Sequence, residues 1–176
     1  IVPRLNAAFG DWHGSGDAPA AAAVAHVDRP DATRVYLIDQ PGAIQANIFA
    51  GELIASTRDP SADVFDFANK VLGGQFSARL NMNLREDKHW SYGAGSFTID
   101  SKGPGLFIAF APVQTDKTKE SFAEMLRELR EIARVRPITA QELAFAQNSM
   151  TLALPGSWET NQAVQTSLVE QYLYNL

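Results

Sequence analysis

The sequence predicts an α+β fold in which a mainly antiparallel sheet carries helices packed on one face. Three observations predict it. Apolar runs with strand periodicity come in pairs, helical stripes separate the pairs, and the last third of the chain reads as helix throughout. From Arg34 onward the expected order is β-β-α-α-β-β-α-α-α.

Val35-Tyr36-Leu37-Ile38 reads as a short buried strand ended by Gln40-Pro41-Gly42. Ile44, Ala46, Ile48 and Ala50 alternate with Gln45, Asn47 and Phe49, which predicts a second strand to about Ile54. Asp59-Pro60 opens a helix, because Asp accepts from orphan N–H groups and Pro has none to waste. Its expected stripe is Val64, Ala68, Val71 and Leu72. Gly73-Gly74 stops it, glycine being free to take φ > 0. Phe76, Leu80 and Leu84 recur at helical spacing, so a second short helix is expected to end near Glu86.

Trp90 to Ile99 reads as a strand, and Lys102-Gly103-Pro104-Gly105 as a turn. Leu106 to Val113 is nearly all apolar, as in a strand covered on both faces or nearly so. Together these two strands predict an antiparallel hairpin. Asp116 is expected to cap a long helix with the stripe Phe122, Met125, Leu126, Leu129, Ile132 and Ala133. Its other face, with Lys119, Glu120, Arg127, Glu128, Arg130 and Glu131, reads as solvated. Thr139-Ala140-Gln141-Glu142 is a capping box, with Ile138 and Leu143 as the staple around it. That helix runs through Leu152, Pro155-Gly156 breaks it, and a last helix starts near Glu159.

Residues 1–33 have a weaker pattern. Phe9-Gly10-Asp11-Trp12 reads as the end of an earlier element, followed by a linker-like Gly/Ser/Asp/Pro/Ala stretch to Pro30. The expected organisation is the end of a preceding module and a linker over 1–33, then an α+β domain over 34–176. Ile1 is not a methionine, and Leu176 falls inside an expected helix, so a fragment of a longer chain is expected.

Bulk properties exclude several function classes. The 176 residues are 45% hydrophobic and 20% charged, an ordinary globular composition. The net charge of −5 and the scattered Lys and Arg argue against a nucleic-acid or anionic-membrane surface. The chain has no cysteine, hence no disulfide and no thiolate chemistry. No apolar run reaches the length of about 18 residues that a membrane span needs. The alanine-rich stretch Ala18 to Val27 is broken by Pro19 and lacks a basic flank, so it does not read as a signal peptide.

A catalytic zinc needs about three convergent ligands. His13, His26 and His89 have no ligand-spaced partners, and neither H-E-x-x-H nor H-x-x-E-H occurs. No G-x-S-x-G supports a serine nucleophile, and Gly73-Gly74 lacks the G-K-[ST] of a phosphate loop. No cofactor or metal site is therefore expected in this chain. The pair that stands out is Arg85, at the end of the short helix, and Tyr92, near the start of the next strand. A guanidinium offers five fixed donors and a phenol one more. Converging, they could hold a peptide carbonyl or stabilise the oxygen of a tetrahedral intermediate. An Arg at a helix C-terminus and a Tyr in a strand are equally ordinary structural residues. The adjacent Glu86 and Asp87 read as solvated helix-end charges.

Val71-Leu72-Gly73-Gly74-Gln75-Phe76-Ser77-Ala78-Arg79-Leu80, then Leu84-Arg85-Glu86-Asp87-Lys88 and Ser91-Tyr92-Gly93-Ala94, resembles the C-terminal-type domain of pitrilysin-type zinc metallopeptidases. Pro41-Gly42-Ala43-Ile44-Gln45, Gln114-Thr115-Asp116-Lys117-Thr118 and Pro137-Ile138-Thr139 with Glu142-Leu143 extend the resemblance over essentially the whole chain. It implies an α/β module in a clamshell peptidase that closes on unfolded peptide. Zinc and its glutamate base would lie in a complementary module, in the same chain or in a partner. An Arg and a Tyr seven residues apart contact the substrate carbonyl in such proteins, and Arg85 and Tyr92 match that spacing. They are the candidate catalytic residues. The resemblance equally admits a non-catalytic structural or peptide-binding subunit of the same fold. The chain departs from the family at His89, where glycine is common. A φ > 0 at that position would suit glycine better than histidine.

Overall fold

Strand alternation decides which side of the sheet holds the core. In the computed structural model, which describes residues 1–14, 16, 23 and 25–176, three strands pair antiparallel in the order β1-β3-β2. They are β1 (Gln45–Ile54), β2 (Gly95–Ile99) and β3 (Gly105–Gln114). The register sets Ile48 opposite Ala111, Phe49 opposite Phe110, and Phe97 opposite Ile108. Side chains of one parity, Phe107, Ala109, Ala111 and Val113, are buried with Ile48 against the helices. The other parity brings Phe49, Phe97, Ile108 and Phe110 together on a half-open face. β3 is thus covered on one face only, where cover on both was expected. The hairpin of β2 and β3 is as expected.

The helices are α1 (Val2–Phe9), α2 (Ala62–Leu72), α3 (Arg79–Asn81), α4 (Thr118–Glu131), α5 (Ala140–Ala153) and α6 (Asn161–Tyr174). A π-helical turn, Met82–Asp87, continues α3. Leu72, Leu80, Leu84 and Met125 close the core over β1 and β3. Leu80 and Leu84 are wholly inaccessible, each stabilising by about 1.5–3 kcal/mol relative to exposure.

Several local expectations need correction. Val35–Ile38 forms no strand, and all four side chains are exposed. β1 is an edge strand and this run does not pair with it, so apolar character alone does not make a strand. α2 begins after an Asx turn in which Asp59 accepts from Ser61 N and Oγ, and Val64 faces solvent. Gly73 has φ −160°, so its value is not positive φ. It is needed for close approach: a Cβ there would collide with Ser96 Oγ and N and lie 2.8 Å from the Gly95 carbonyl carbon. β2 starts only at Gly95, after an isolated bridge between Ser91 and Val113. A 3₁₀ turn, Thr115–Lys117, precedes α4, and Asp116 does not cap it. Ile132 and Ala133 lie beyond the end of α4.

Glu128 was expected on a solvated face but is 3% exposed. It accepts from Asn83 Nδ2 at 2.7 Å and pairs with Arg136. The capping box is present as expected: Thr139 Oγ1 accepts from Glu142 N, and the Glu142 carboxylate accepts from Thr139 N. Most of the alanine-rich part of the linker-like stretch lies outside the described residues.

Candidate functional site

The Arg85–Tyr92 segment is built on two buried anchors. Leu84 fixes the π turn to the core, and Asn81, 4% exposed, ties the two flanking loops together. Asn81 Nδ2 donates to the Phe76 carbonyl at 2.8 Å, and its Oδ1 accepts from Ala94 N at 3.2 Å. The extra residue of the π turn shows in Lys88 N, which donates five residues back to the Asn83 carbonyl at 3.1 Å.

Arg85 lies on the outward side of this turn. Its guanidinium carbon stands 4.7 Å above the centre of the Phe76 ring, a cation–π distance. Its Nε is 3.3 Å from Glu86 Oε1. The side chain is 39% exposed, so the guanidinium is held yet reachable. Phe76, expected in a buried helical stripe, is instead 62% exposed in the loop before α3 and supports Arg85.

Tyr92 follows the Ser91 bridge and precedes β2, so it sits on a short link rather than in the strand. It is 85% exposed. Ser91 Oγ, 2.6 Å from the Pro112 carbonyl, accepts from Gly93 N and shapes that link. Both candidate residues are therefore at the surface on consecutive segments. No hydrogen bond joins them among the described residues.

His89, between them, has φ +57°. This is the left-handed backbone that the family's glycine foreshadowed. Sequence reasoning missed Phe76, Glu86 and Asn81 as supports of the pair. Only the position of Phe76 beside the glycine pair hinted at a loop role.

A separate cleft of about 620 Å³ lies behind the turn, lined by Arg79, Asn83, Lys88, Arg127 and Glu142 among others, and excludes Arg85 and Tyr92. Its charges are mostly used internally. Arg79 donates to Glu142 through Nε and Nη2 at 2.7 Å each, and to the carbonyls of Arg136 and Pro137 at 2.6 and 3.0 Å. The Arg79 bonds hold the Glu142 carboxyl down at about 2. Burial and the neighbouring Asp100 and Asp63 push Asp66 up, against a bond from Thr98.

The residues do not fit a zinc site. Among the described residues no group of three or more His, Cys, Asp or Glu could hold a metal. His26 pairs with Asp28, and His89 turns to a backbone carbonyl. Among the same residues no helix is long and apolar enough to cross a membrane.

These features define a class: an α+β module with a reachable guanidinium and no metal cluster of its own among the described residues. The chain belongs to the peptidase M16 inactive-domain family, whose model matches residues 1–150. The pitrilysin-type family inferred from residues 71–94 is thereby borne out. No curated protein matches the chain. Among solved structures it is similar to a peptidase M16 inactive domain from Pseudomonas fluorescens, at 22% identity and TM-score 0.80, over 90% of this chain and 37% of that one. It is also similar to a protease from Helicobacter pylori, at 18% identity and TM-score 0.71, over 77% and 33%. A chain of Complex III2 from Candida albicans matches at 14% identity and TM-score 0.63, over 77% and 34%. At these identities the likeness establishes the fold. The chain spans about a third of the length of each of these three.

Proposed function

We propose that this chain is the substrate-positioning module of a zinc metalloendopeptidase acting on unfolded peptides. Zinc and the general base belong to a complementary module, in the same polypeptide or in a partner subunit. Residues 1–33 then serve as the end of the preceding module and its linker, and 34–176 as the working domain. The observation that carries the reading is Arg85. Its guanidinium is braced by Phe76 and Glu86 yet remains accessible, seven residues before an exposed tyrosine hydroxyl. Arg85 donates to the carbonyl oxygen of the bound peptide, and Tyr92 adds a second donor from the other side of the turn. Both favour negative charge as it develops on that oxygen. The module binds and polarises, and bond cleavage depends on the zinc-bearing module.

Hydrolysis of an unstructured fluorogenic peptide, with and without a chelator, tests this. The chain alone should not cleave it. The chain assembled with its zinc-bearing module should cleave it, and the chelator should stop cleavage. Hydrolysis by the isolated chain, or chelator-resistant hydrolysis by the assembly, would defeat the proposal.

A second reading draws on the likeness to a Complex III2 chain: a structural or peptide-binding subunit of the same fold. In that reading the assembly forms, but no activity depends on Arg85 or Tyr92.

A further inference from the structure

The end of the π turn is closed in an unusual way. In a Schellman closure, the left-handed residue donates to a carbonyl three residues back, and its successor to one five back. Here His89 N donates four residues back, to Arg85 O at 3.1 Å. Trp90 N donates six back, to Leu84 O at 3.0 Å. The closure is one residue wider on both counts, because the π turn has inserted a residue beneath it. The widened loop ends on a histidine with φ +57°, where glycine would be free of strain.

The imidazole supplies what glycine lacks. His89 Nδ1 lies 3.1 Å from Arg85 O, the same carbonyl that its backbone N–H reaches. A carbonyl only accepts, so the hydrogen is on Nδ1. On the other side, the His89 carbonyl accepts from Gln114 Nε2 at 3.1 Å, at the end of β3. One residue thus fastens the backbone of Arg85 to the strand end beside which the Tyr92 link begins.

We propose that His89 is a positioning residue that sets the placement of Arg85 relative to Tyr92. It gives up backbone ease to gain a side-chain tie on Arg85. The inference rests on the carbonyl-holding reading of that pair. It separates two quantities that a purely structural role would move together. His89→Gly removes the imidazole tie but relieves the positive-φ strain, so the variant should fold at least as stably. Its Arg85 carbonyl keeps the backbone bond from residue 89 but loses the imidazole one, so the turn is held by one tie instead of two.

The test uses the assembled peptidase on an unstructured peptide, with thermal melts in parallel. His89→Gly should lower kcat about tenfold, the order expected of a displaced contact group, with KM within about twofold and an unchanged or higher Tm. His89→Asn, which tolerates left-handed backbone and retains a side-chain donor, should recover most of that loss. In an Arg85→Ala background, His89→Gly should cost nothing further. In the isolated chain, imidazole 15N spectra should show the hydrogen on Nδ1. Wild-type kcat in His89→Gly, or an undiminished loss in the Arg85→Ala background, would overturn the role of His89 while leaving Arg85 in place. Wild-type activity in Arg85→Ala itself would overturn the underlying reading, and this inference with it.

Discussion

Replacing Glu142 by Gln tests how the helix-entry clip holds α3 to α5. The Glu142 carboxylate takes two bonds from Arg79 at 2.7 Å, and bonds from Thr139 N at 2.8 Å and Thr139 Oγ1 at 2.9 Å. Together these lower its carboxyl from 4.5 to about 2, the Arg79 bonds contributing most. A tenfold change in proton affinity corresponds to about 1.36 kcal/mol, so the full effect is about 3 kcal/mol. The Glu142 side chain is 30% exposed, and solvent screening leaves roughly half, about 1.5 kcal/mol. The sign follows from a folded value below the unfolded one. The stabilisation is complete above the unfolded value near 4.5 and is lost as pH falls through about 2. Urea titrations of wild type and Glu142→Gln, followed by tryptophan fluorescence at a series of pH values from 7 to 2, read the difference directly. The gap should be about 1.5 kcal/mol at pH 7 and should close towards pH 2. Asp66, whose raised carboxyl gives stability lost as pH rises, is common to both proteins and cancels. A gap that is absent at pH 7, or constant across the series, would mean that the ionised Glu142 carboxylate does not stabilise the fold.

Other substitutions probe other links. Leu84→Ala should cost about 2–5 kcal/mol in urea unfolding, since Leu84 is the wholly buried residue that anchors the π turn to the core. Glu128→Ala takes a buried carboxylate from Asn83 and Arg136, which keep only Glu124 and Glu131, and should cost about 1–2 kcal/mol; a loss under about 0.5 kcal/mol would mean these second partners replace it freely. Gly73→Ala should lower Tm by several degrees, equivalent to about 1–3 kcal/mol, because its Cβ meets the backbone of β2 as well as Ser96 Oγ, and the backbone cannot swing away.

What the sequence made legible was local. The Thr139–Glu142 capping box could be read because both partners lie within one turn, and the β2–β3 hairpin because a Gly-Pro-Gly turn separates two apolar runs. What it hid was set by distant partners. Val35–Ile38 looks like a strand in isolation, but a strand needs a paired neighbour, and this run pairs with none. Glu128 looks like one more charge on a solvated helix until Asn83 and Arg136 close over it. Phe76 fits a four-residue stripe with Leu80 and Leu84, yet the helix starts after it, which frees the ring for the Arg85 guanidinium. Arg85 and Tyr92 stood out as donors from the sequence, and the family resemblance gave them a proposed role. Phe76 and Asn81, which support the segment, did not stand out, because their contacts join residues on different elements.

The most direct measurement of the central claim is kcat/KM of the assembled peptidase on an unfolded peptide, wild type against Arg85→Ala and Tyr92→Phe. Loss of a donor aimed at the reacting oxygen costs on the order of 10²–10³-fold in well-studied sites, and a half-exposed arginine should fall near the lower end. Arg85→Ala should lose about 100-fold and Tyr92→Phe less, with zinc content and folding unchanged. Wild-type kcat/KM in both variants would contradict the carbonyl-holding role and leave the structural-subunit reading standing.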